Sequence, residues 1–390
     1  MKGHIMEQHH ETIIVGGGMA GMFCALKLKE AGKPFLLISD RLGGRTYYKE
    51  EFKMNFGAVF YFENYHNVRK ILTSGPVLIK SIKQIMLHLS ETDYYPAFSF
   101  RMLKNLPQLI KFKRFMKQFI KHYEVYKKNC ETMQVKDALK KDPFMEQLFF
   151  KSAQQLINEL KIGRACSELV SQFVYGCTGA KVHTLTALDF CNCAQGLVMP
   201  ICQFAFDENA MQRRLGSVEL DSVVKVDKES GQYKVTTAKG VTYTARNLVL
   251  ATPAGVTKTL IKLPKIRSAS TLFAYLVKGT IKEKYRHNDL HCFADTIPII
   301  FVAKRQNGKG EYEVFSNARL NLNKYFDEHS VLHVKEWPEA LYTHPAIVLD
   351  QDLGDNLYMA GDHNGLGMEP AAISGIYTAN QIIKKAAAGR

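Results

Sequence analysis

One segment near the start of the chain constrains the fold more than any other: ETIIVGGGMAGMFCALKLKEAGKPFLLISDRLGGRT, residues 11–46. Residues 12–15 are β-branched and apolar, as in a short buried strand. After a glycine-rich turn, residues 22–31 predict a helix with a glycine as its stop signal. Residues 35–38 predict a second strand. The segment is therefore interpreted as a βαβ unit, the building block of a parallel sheet.

The turn of this unit contains Gly16, Gly18 and Gly21 in the G-x-G-x-x-G spacing of dinucleotide-binding turns. The first glycine permits a tight turn, the second lets a pyrophosphate approach the backbone, and the third lets the helix lie close to the strand. The helix N-terminus adds free N–H groups and a partial positive charge that attract phosphate. A glycine turn without a ligand is the alternative, but the strand–turn–helix context favours a dinucleotide site.

Ser39 stands about twenty residues after the first glycine, where a carboxylate usually binds the ribose. A serine hydroxyl cannot offer the bidentate, charge-assisted pair of a carboxylate. Asp40 is the next residue and could reach around the strand end, or it could cap the turn into Leu42, Gly43 and Gly44. The sequence leaves the sugar contact open between Ser39 and Asp40.

The size and composition of the chain are those of a globular protein with room for two domains. It has 390 residues, of which 46% are hydrophobic and 23% charged. No apolar run reaches the roughly 18 residues that span a bilayer, and the first residues, MKGHIMEQHH, lack the pattern of a signal peptide. We therefore expect a cytoplasmic protein, with the three histidines of that polar start in a frayed tail.

The eight cysteines are scattered through the sequence, which is typical of reduced thiols when no signal peptide is present. Cys191 and Cys193 form a C-x-C pair, but no second pair and no histidine stands at a zinc-binding spacing. The sequence therefore predicts no metal site.

Much of the net charge of +15 lies in residues 101–128, RMLKNLPQLIKFKRFMKQFIKHYEVYKK, where apolar side chains recur at helical spacing. The favoured interpretation is a surface helix whose apolar stripe packs on the core while its lysines stay in water. Peripheral docking on an anionic membrane surface, or on an acidic partner, is the alternative. Nucleic-acid binding is not expected, because no reading motif accompanies the charge.

Elements typical of a nucleotide-binding domain occur at the start, in the middle and at the end of the chain. A helix-rich stretch follows the first unit, and alternating strands dominate after it. The simplest account is one domain assembled from three segments and interrupted twice by a second domain. The predicted segments are 1–61, 206–265 and 341–390 for the first domain, and 62–205 (helix-rich) and 266–340 (sheet) for the second.

Four further segments, together with the glycine turn, resemble the flavin amine oxidase and phytoene desaturase superfamily of FAD-dependent oxidoreductases. DRLGGRT at 40–46 resembles the segment that wraps the FAD pyrophosphate, and MNFGAVFY at 54–61 resembles a D-x-G-A turn beside the flavin. ARNLVLATPAG at 245–255 resembles the strand that ends in A-x-P. NLYMAGD…EPAAISG at 356–375 resembles the closing A-G-D and helix signature.

The resemblance implies an α/β fold, with a Rossmann-like FAD-binding domain of the GR2 type and a second, helix-rich α+β substrate domain. It implies FAD, because a nicotinamide enzyme would need neither the Gly-Gly-Arg segment nor the A-G-D turn. The FAD is expected to be non-covalent, since no Cys lies beside Gly361 and Asp362. The predicted cofactor-binding residues are Gly16, Gly18, Met19, Ala20, Gly21, Ser39, Asp40, Gly43, Gly44, Arg45, Thr46, Gly57, Ala58, Val59, Val224, Ala251, Gly361, Asp362, Pro370, Ala371 and Ala372.

The sequence departs from the family pattern at four positions. Ser39 replaces the acidic residue, Asn55 replaces the Asp of the D-x-G-A turn, and Pro370 replaces a glycine at a place that suits the first turn of a helix. Gly367 stands where amine oxidases usually carry an aromatic residue of the substrate cage. This last departure argues against a small-amine cage and for a bulkier or flatter substrate.

The resemblance also indicates three candidate catalytic residues. Lys304, in IIFVAKRQ, is a candidate for the lysine that some family members place near the flavin N5, and a solvated strand-end lysine is the alternative. His363 follows Asp362 and could face the flavin edge. Trp337, in EWPEALYTHP, matches a W-x-x-A-x-P segment and could line the substrate cavity or belong to the core.

The expected function is that of an FAD-dependent oxidase or desaturase that removes a hydride from an amine-containing or apolar small molecule. Two alternatives have the same fold: a non-redox flavoenzyme such as a mutase or isomerase, and a non-catalytic member that binds a lipid or a prenylated partner. The sequence does not indicate the substrate, the electron acceptor or the oligomeric state.

Overall fold

The computed structural model describes residues 8–79, 81–306 and 308–388. The strands are β1 (Gln8–Gly17), β2 (Leu36–Leu42), β3 (Tyr48–Lys49), β4 (Met54–Asn55), β5 (Tyr61–Phe62), β6 (Thr73–Val77), β7 (Ile85–His88), β8 (Tyr94–Pro96), β9 (Ile201–Ala205), β10 (Val218–Leu220), β11 (Val223–Glu229), β12 (Gln232–Thr237), β13 (Thr242–Leu250), β14 (Ser268–Ile281), β15 (Leu290–Phe293), β16 (Ile299–Lys304), β17 (Glu311–Ser316), β18 (Phe326–His344) and β19 (Leu357–Met359). The helices are α1 (Met19–Glu30), α2 (Phe100–Leu103), α3 (Leu106–Cys130), α4 (Val135–Lys141), α5 (Pro143–Phe150), α6 (Ala153–Glu159), α7 (Gly163–Ala165), α8 (Ser171–Thr178), α9 (Ala187–Ala194), α10 (Glu208–Leu215), α11 (Ala254–Leu260) and α12 (Met368–Ala388).

The first large sheet is assembled from three separated stretches of sequence, in the order β10-β2-β1-β13-β12-β11, with β19 paired to β13. β1 is parallel to both β2 and β13, so the turn after β1 lies at the carboxyl edge of parallel strands, where α/β sheets bind their ligands. Ile13, Ile14 and Val15 of β1 are buried on both faces of the sheet. The predicted α/β class is confirmed. The predicted domain boundaries stay predictions.

β1 is longer than the sequence indicated. It begins at Gln8, so His9 and His10 belong to a strand, and the expected frayed tail is wrong for these two residues. Parallel pairing with β13 continues back to Gln8, which supplies the hydrogen bonds that the sequence pattern did not reveal. His4 lies outside the described residues.

Helices α1 and α12 cross closely on one face of this sheet. A Cβ on Gly375 would lie only 2.0 Å from the carbonyl oxygen of Ala20, so the close approach depends on glycine at that position. Ala20, Ala372 and Ala379 are buried in the shared core of the two helices. The second turn of α12 therefore lies beside the first turn of α1.

The second large sheet has the order β18-β14-β17-β16-β15-β7-β8. Most of its strands come from the second half of the chain, but β7 and β8 come from residues 85–96: β7 pairs with β15, and β8 pairs with β7 at the edge of the sheet. Helices α3 to α9 pack around a separate apolar core that contains Phe112, Phe149 and Phe190. The helix-rich stretch and this sheet enclose the cavity described below.

The basic segment predicted as one helix forms the short helix α2 and then the 25-residue helix α3. Phe112, Met116, Phe119 and Tyr123 of α3 are buried in the helical core, as the favoured interpretation expected. Within the described residues, no helix combines the length and the apolar character that crossing a membrane requires.

Candidate active site

The glycine turn after β1 leaves the N-terminus of α1 open. Gly16 has a φ of +110°, which favours glycine, and a Cβ there would lie 2.7 Å from the carbonyl oxygen of Ala251. A Cβ on Gly21 would lie 1.9 Å from the carbonyl oxygen of Gly16. Gly18 has no neighbouring atom within 4 Å on its Cβ side, and no side chain caps the helix. The first N–H groups of α1, beginning with that of Met19, thus face an opening that suits an anion.

A second glycine turn lies against the first. The N–H of Gly43 donates to the carbonyl oxygen of Gly17 at 2.8 Å, and a Cβ on Gly44 would lie 2.9 Å from the Cα of Gly18. Gly43 and Gly44 both have a positive φ, +92° and +56°. Arg41 also donates to the carbonyl oxygen of Gly44. The two turns therefore meet backbone to backbone beside the N-terminus of α1.

Arg45 and Asp362 form an ion pair next to these turns. Nη2 of Arg45 lies 2.6 Å from Oδ1 of Asp362, and Nη1 donates to the carbonyl oxygen of Ala340 at 2.6 Å. Burial acts to lower the pKa of the Arg45 guanidinium, but Asp362 outweighs it and raises that pKa above its ordinary value. Thr46 Oγ1 lies 3.5 Å from Sδ of Met368, at the start of α12. Residues predicted at opposite ends of the sequence are thus in contact.

The turn after β4 is held to Arg45 by its backbone. The N–H of Ala58 donates to the carbonyl oxygen of Arg45 at 2.9 Å, and a Cβ on Gly57 would lie 1.9 Å from the same oxygen. Nε1 of Trp337 donates to the carbonyl oxygen of Phe56 at 2.6 Å. Trp337 therefore positions this turn from β18.

The loop before α12 contains His363, which is 3% exposed. Its Nε2 has no hydrogen-bond partner among the described residues, and burial lowers the pKa of the ring to about 4, so the imidazole is neutral at pH 7. The preceding Gly361 donates its N–H to Oγ of Ser374 at 3.1 Å, which ties the loop to α12.

The first turn of α12 has the geometry that the sequence indicated. Pro370 lies in this turn, where a missing N–H costs little, and Ala371 and Ala372 are buried against α1. The residue before the helix, Gly367, is covered by a neighbour: a Cβ there would lie 2.9 Å from the hydroxyl oxygen of Tyr65. Tyr65 thus occupies space beside Gly367, which the sequence did not indicate.

The expected ribose contacts lie at the carboxyl end of β2. Ser39 is buried and its hydroxyl donates to the carbonyl oxygen of Arg41 at 2.8 Å, whereas Asp40 is exposed. The N–H of Leu42 donates to Glu208 at 2.7 Å, so the turn is capped by Glu208 and not by Asp40. The choice between Ser39 and Asp40 stays a prediction. The cofactor-binding role of Val224, whose side chain on β11 is 57% exposed, also stays a prediction.

A cavity of about 500 Å³ begins beside the turn that contains Gly57. Val59 and Phe60 form its wall at that end, and β6, β9, α8 and β16 supply most of the rest. Its apolar lining includes Met54, Val77, Leu78, Ile79, Phe173, Ile201, Phe204, Leu290 and Phe301, and its charged lining includes, among the described residues, Lys53, Asp289, Lys304, Arg305 and Glu313. Of the candidate catalytic residues, Lys304 lines the cavity at the end of β16, while Trp337 and His363 are not among the described lining residues.

Glu313 titrates near neutrality in this wall. Burial raises the pKa of its carboxyl to about 7, and Nε of Arg305, 3.6 Å from Oε1, opposes that shift. Arg305 also pairs with Glu311, with Nη1 3.0 Å from Oε2, and its Nη2 donates to the carbonyl oxygen of Phe52 at 2.5 Å. Because its charge is divided among these partners, Arg305 neutralises Glu313 only in part. The cavity therefore contains an ionisable carboxyl among apolar side chains.

The sequence comparison identifies the family of the chain. The profile of the family described as Flavin containing amine oxidoreductase matches residues 19–276, more than half of the chain. The chain belongs to this family. The match runs from the first residue of α1 into β14 and includes both the Gly-Gly-Arg segment and the turn after β4. The superfamily resemblance seen in the sequence is thereby confirmed.

Solved structures of other proteins have the same fold. A putrescine oxidase triple mutant made to redesign cofactor binding has a TM-score of 0.70 at 16% identity, and the alignment covers 97% of this chain and 100% of that one. Cyclohexylamine oxidase from Brevibacterium oxydans has a TM-score of 0.64 at 13% identity, and the alignment covers 97% of this chain and 99% of that one. A fatty acid isomerase from P. acnes, described as producing CLA, has a TM-score of 0.68 at 12% identity. The alignment covers 96% of this chain and 98% of that one. No curated protein matches the sequence.

The residues of this family member fit the phosphate end of a flavin nucleotide. Gly18 is open, the N-terminus of α1 has no side-chain cap, and the adjoining turn presents Gly43 and Gly44 without side chains. Arg45 keeps 27% of its side chain exposed while Asp362 is 6% exposed, so the cation of the pair is the partner that an anion can reach. A diphosphate group matches this arrangement of backbone N–H groups and guanidinium.

Sequence inspection missed Arg305 and Glu313. Glu313 lies in β17 between Tyr312 and Val314, both buried, so the strand alternation places the carboxylate on the other face, as for an ordinary solvent-facing residue. That face is turned toward the cavity instead. The eight cysteines are free, and within the described residues no group of three or more potential ligands is placed to hold a metal ion.

Proposed function

We propose that the protein is an FAD-dependent oxidoreductase that binds FAD non-covalently and removes a hydride from an amine-containing or apolar metabolite. The observation that carries this proposal is the cavity of about 500 Å³ that starts at Val59 and Phe60, directly beyond the turn that family members place beside the flavin. Membership of the flavin-containing family supports the cofactor. A volume of this size accommodates a metabolite-sized molecule.

The flavin, when bound, supplies the electron acceptor for the substrate. The residues that would hold it are the glycine turns at Gly16–Gly18 and Gly43–Gly44, the N-terminus of α1, and the Arg45–Asp362 pair. Gly57 and Ala58 would lie against the ring system, because their turn separates Arg45 from the cavity.

The cavity walls bind a molecule with an apolar body and one polar end. Met54, Phe173 and Phe301 exclude water from the carbon skeleton, while Lys304 and Glu313 provide charge at the end formed by β16 and β17. Asn55 and Gln172 also line the cavity, and each has a buried side-chain oxygen without a hydrogen-bond partner among the described residues.

Anaerobic mixing of the flavin-loaded protein with matched panels of amines and of unsaturated apolar acids tests this proposal. An oxidase or desaturase loses its visible flavin absorption with one panel and regains it when oxygen or a quinone is added. Product formation with no net change of the flavin redox state would contradict the proposal. That result would favour the second candidate, a non-redox isomerase or mutase.

The isomerase alternative has its own support in the cavity. Lys53, Lys304 and Arg305 could pair with the carboxylate of an apolar acid, whereas Glu313 could pair with an amine. A protein that binds no flavin and only holds a lipid or prenyl group is the third possibility. The cytoplasmic location and the lack of nucleic-acid binding stay predictions from the sequence.

A further inference from the structure

An exposed apolar patch lies at the start of the basic segment. It consists of Phe98, Phe100, Leu103, Leu106 and Ile110, and we call it the 98–110 patch. Phe100 is 86% exposed and Phe98 58%, and the three aliphatic residues are each at least 43% exposed. Single exposed apolar residues are common, but five within thirteen positions concentrate apolar side chains in one short segment of the surface.

The patch is distinct from the buried stripe of α3. Leu106 and Ile110 project on one side of the helix, while Phe112, Met116 and Phe119 project into the helical core. The helix therefore has two apolar surfaces, and the fold covers only one of them. Phe100, at 86% exposure, is left uncovered by the part of the chain that the structure describes.

Basic side chains border the patch. Lys104, Lys111, Lys113 and Arg114 are exposed, and none of them forms an ion pair in the part of the chain that the structure describes. Arg101 alone is neutralised, by Asp93 at 2.6 Å and Glu168 at 3.3 Å. The surface is thus apolar at its centre and cationic at its edge.

The patch lies beside the cavity. The N–H of Ala97 donates to the carbonyl oxygen of Ile85 at 2.9 Å, and Ile85 lines the cavity. Nζ of Lys83 lies 5.4 Å from the ring centre of Phe98. Ser81 and Gln84, on either side of Lys83, also line the cavity. One short stretch of chain therefore joins the cavity wall to the exposed phenylalanines.

We propose that the 98–110 patch docks on the surface of an anionic lipid bilayer. The aromatic and aliphatic side chains enter the boundary between headgroups and acyl chains, and the lysines contact the anionic headgroups. The charge of the patch and the net charge of +15 match an anionic surface and oppose docking of a second copy of the chain. Docking would place the side of the cavity that residues 81–85 form next to the lipid, and this holds for any reaction that the cavity supports.

Co-sedimentation of the full-length protein with sucrose-loaded vesicles tests the proposal. Vesicles of phosphatidylcholine alone are compared with vesicles that also contain phosphatidylserine. The protein should pellet with the anionic vesicles and not with the neutral ones, and added salt should weaken binding. Absence of pelleting with anionic vesicles, or equal pelleting with both kinds, would overturn the proposal.

Two sets of variants locate the surface. Phe98→Ser with Phe100→Ser should lower vesicle affinity by about tenfold or more, because both rings lose their contact with lipid. The matched control is Phe150→Ser, which removes a ring that is 61% exposed at the end of α5. Lys104→Gln, Lys111→Gln and Lys113→Gln should each lower affinity about fivefold, since a lysine near an anionic surface contributes about that factor. The matched controls are Lys258→Gln, Lys262→Gln and Lys265→Gln, each of which removes the same charge from an exposed position elsewhere on the surface.

A fluorescent reporter separates insertion from loose electrostatic adsorption. In Phe100→Trp the new indole should shift its emission to shorter wavelength when anionic vesicles are added, while Phe150→Trp should not. An unshifted Phe100→Trp spectrum on pelleted protein contradicts the proposed contact. A patch variant that converts a dimer to a monomer in size-exclusion chromatography, with vesicle binding unchanged, would assign the patch to self-association and overturn the proposal.

Discussion

Nη2 of Arg45 lies 2.6 Å from Oδ1 of Asp362, although 317 positions of sequence separate these residues. The contact joins the segment after β2 to the loop before α12. The N–H of Gly43 in the first of these donates to Gly17 of the glycine turn after β1, and α12 packs on α1 through Gly375 and Ala20. Three distant parts of the chain therefore converge on one small region. The cofactor proposal depends on this convergence, and the pair offers its first test.

Asp362→Asn should weaken flavin binding and lower the free energy of unfolding by about 1–3 kcal/mol. The substitution leaves the Arg45 guanidinium largely buried without its counter-charge. Flavin retention after gel filtration and denaturant-induced unfolding measure the two effects. Asp352→Asn is a suitable control, because its partner Lys385 lies on the exposed face of α12. If Asp362→Asn behaved like this control in both assays, the pair would have no part in the site.

Gly57→Ala should disrupt the turn beside the proposed flavin position. The new Cβ would lie 1.9 Å from the carbonyl oxygen of Arg45, so the backbone must move and the hydrogen bond from Ala58 is lost. We expect destabilisation of about 2 kcal/mol or more and loss of bound flavin. Gly163→Ala is the matched control, since nothing lies within 4 Å of a Cβ there. Retention of flavin and of the wild-type melting temperature by Gly57→Ala would contradict a role of this turn in flavin binding.

Glu313→Gln should change how stability depends on pH. The Glu313 carboxyl has a pKa of about 7 in the folded chain, above its ordinary value, because it is buried. Between about pH 4.5 and 7 the folded chain thus holds a proton that the unfolded chain has released, and this contribution is lost as the pH rises through 7. Relative to wild type, Glu313→Gln should gain stability between pH 5 and 8. The control Glu336→Gln removes a carboxylate from an exposed ion pair with Arg319, and it should not gain stability in this pH range.

His88 and His291 should make the protein sensitive to acid. Nε2 of His88 lies 3.0 Å from Nδ1 of His291, and both rings are 1% exposed. Burial lowers the pKa of His88 to about 3 and that of His291 to about 4, so the folded chain does not take up the protons that the unfolded chain binds below about pH 6.5. Stability should therefore fall as the pH drops from about 6.5 towards 4.

The variant His88→Phe separates this titration from packing. It keeps an aromatic ring against Phe293, whose centroid is 4.4 Å from that of His88, but it removes one ionisable group. Its stability at pH 7 should be lower because a hydrogen bond is lost, and its decline in acid should be shallower. His287→Gln, whose ring is 77% exposed, should retain the wild-type slope. An unchanged slope in His88→Phe would assign the acid sensitivity to other groups.

Local patterns in the sequence were sufficient for the nucleotide-binding half of the fold. Glycine spacing, an apolar strand and a following helix are short-range features, so the turn at Gly16–Gly21 and the α/β class could be predicted. The start of β1 could not be predicted, because His9 and His10 are polar and join the sheet only through pairing with β13. The ends of elements depend on such tertiary contacts.

The cavity and the 98–110 patch could not be predicted for the same reason. Glu313 looks like a solvent-facing residue of a strand, and only the tertiary structure shows that it faces a cavity whose walls also include α8 and β6. The sequence showed one apolar stripe in the basic segment, but the fold divides it into a buried part at Phe112 and an exposed part at Leu106. Periodicity indicates a helix face and does not show what covers it.

The most direct test of the account is the colour and flavin content of the purified protein. If three segments of the chain close around a flavin nucleotide, the purified protein should be yellow. After denaturation and filtration, the filtrate should contain about one mole of FAD per mole of chain. Release on denaturation would also show that the flavin is not covalently attached. A colourless protein that gains no visible absorption on incubation with FAD would contradict the central claim.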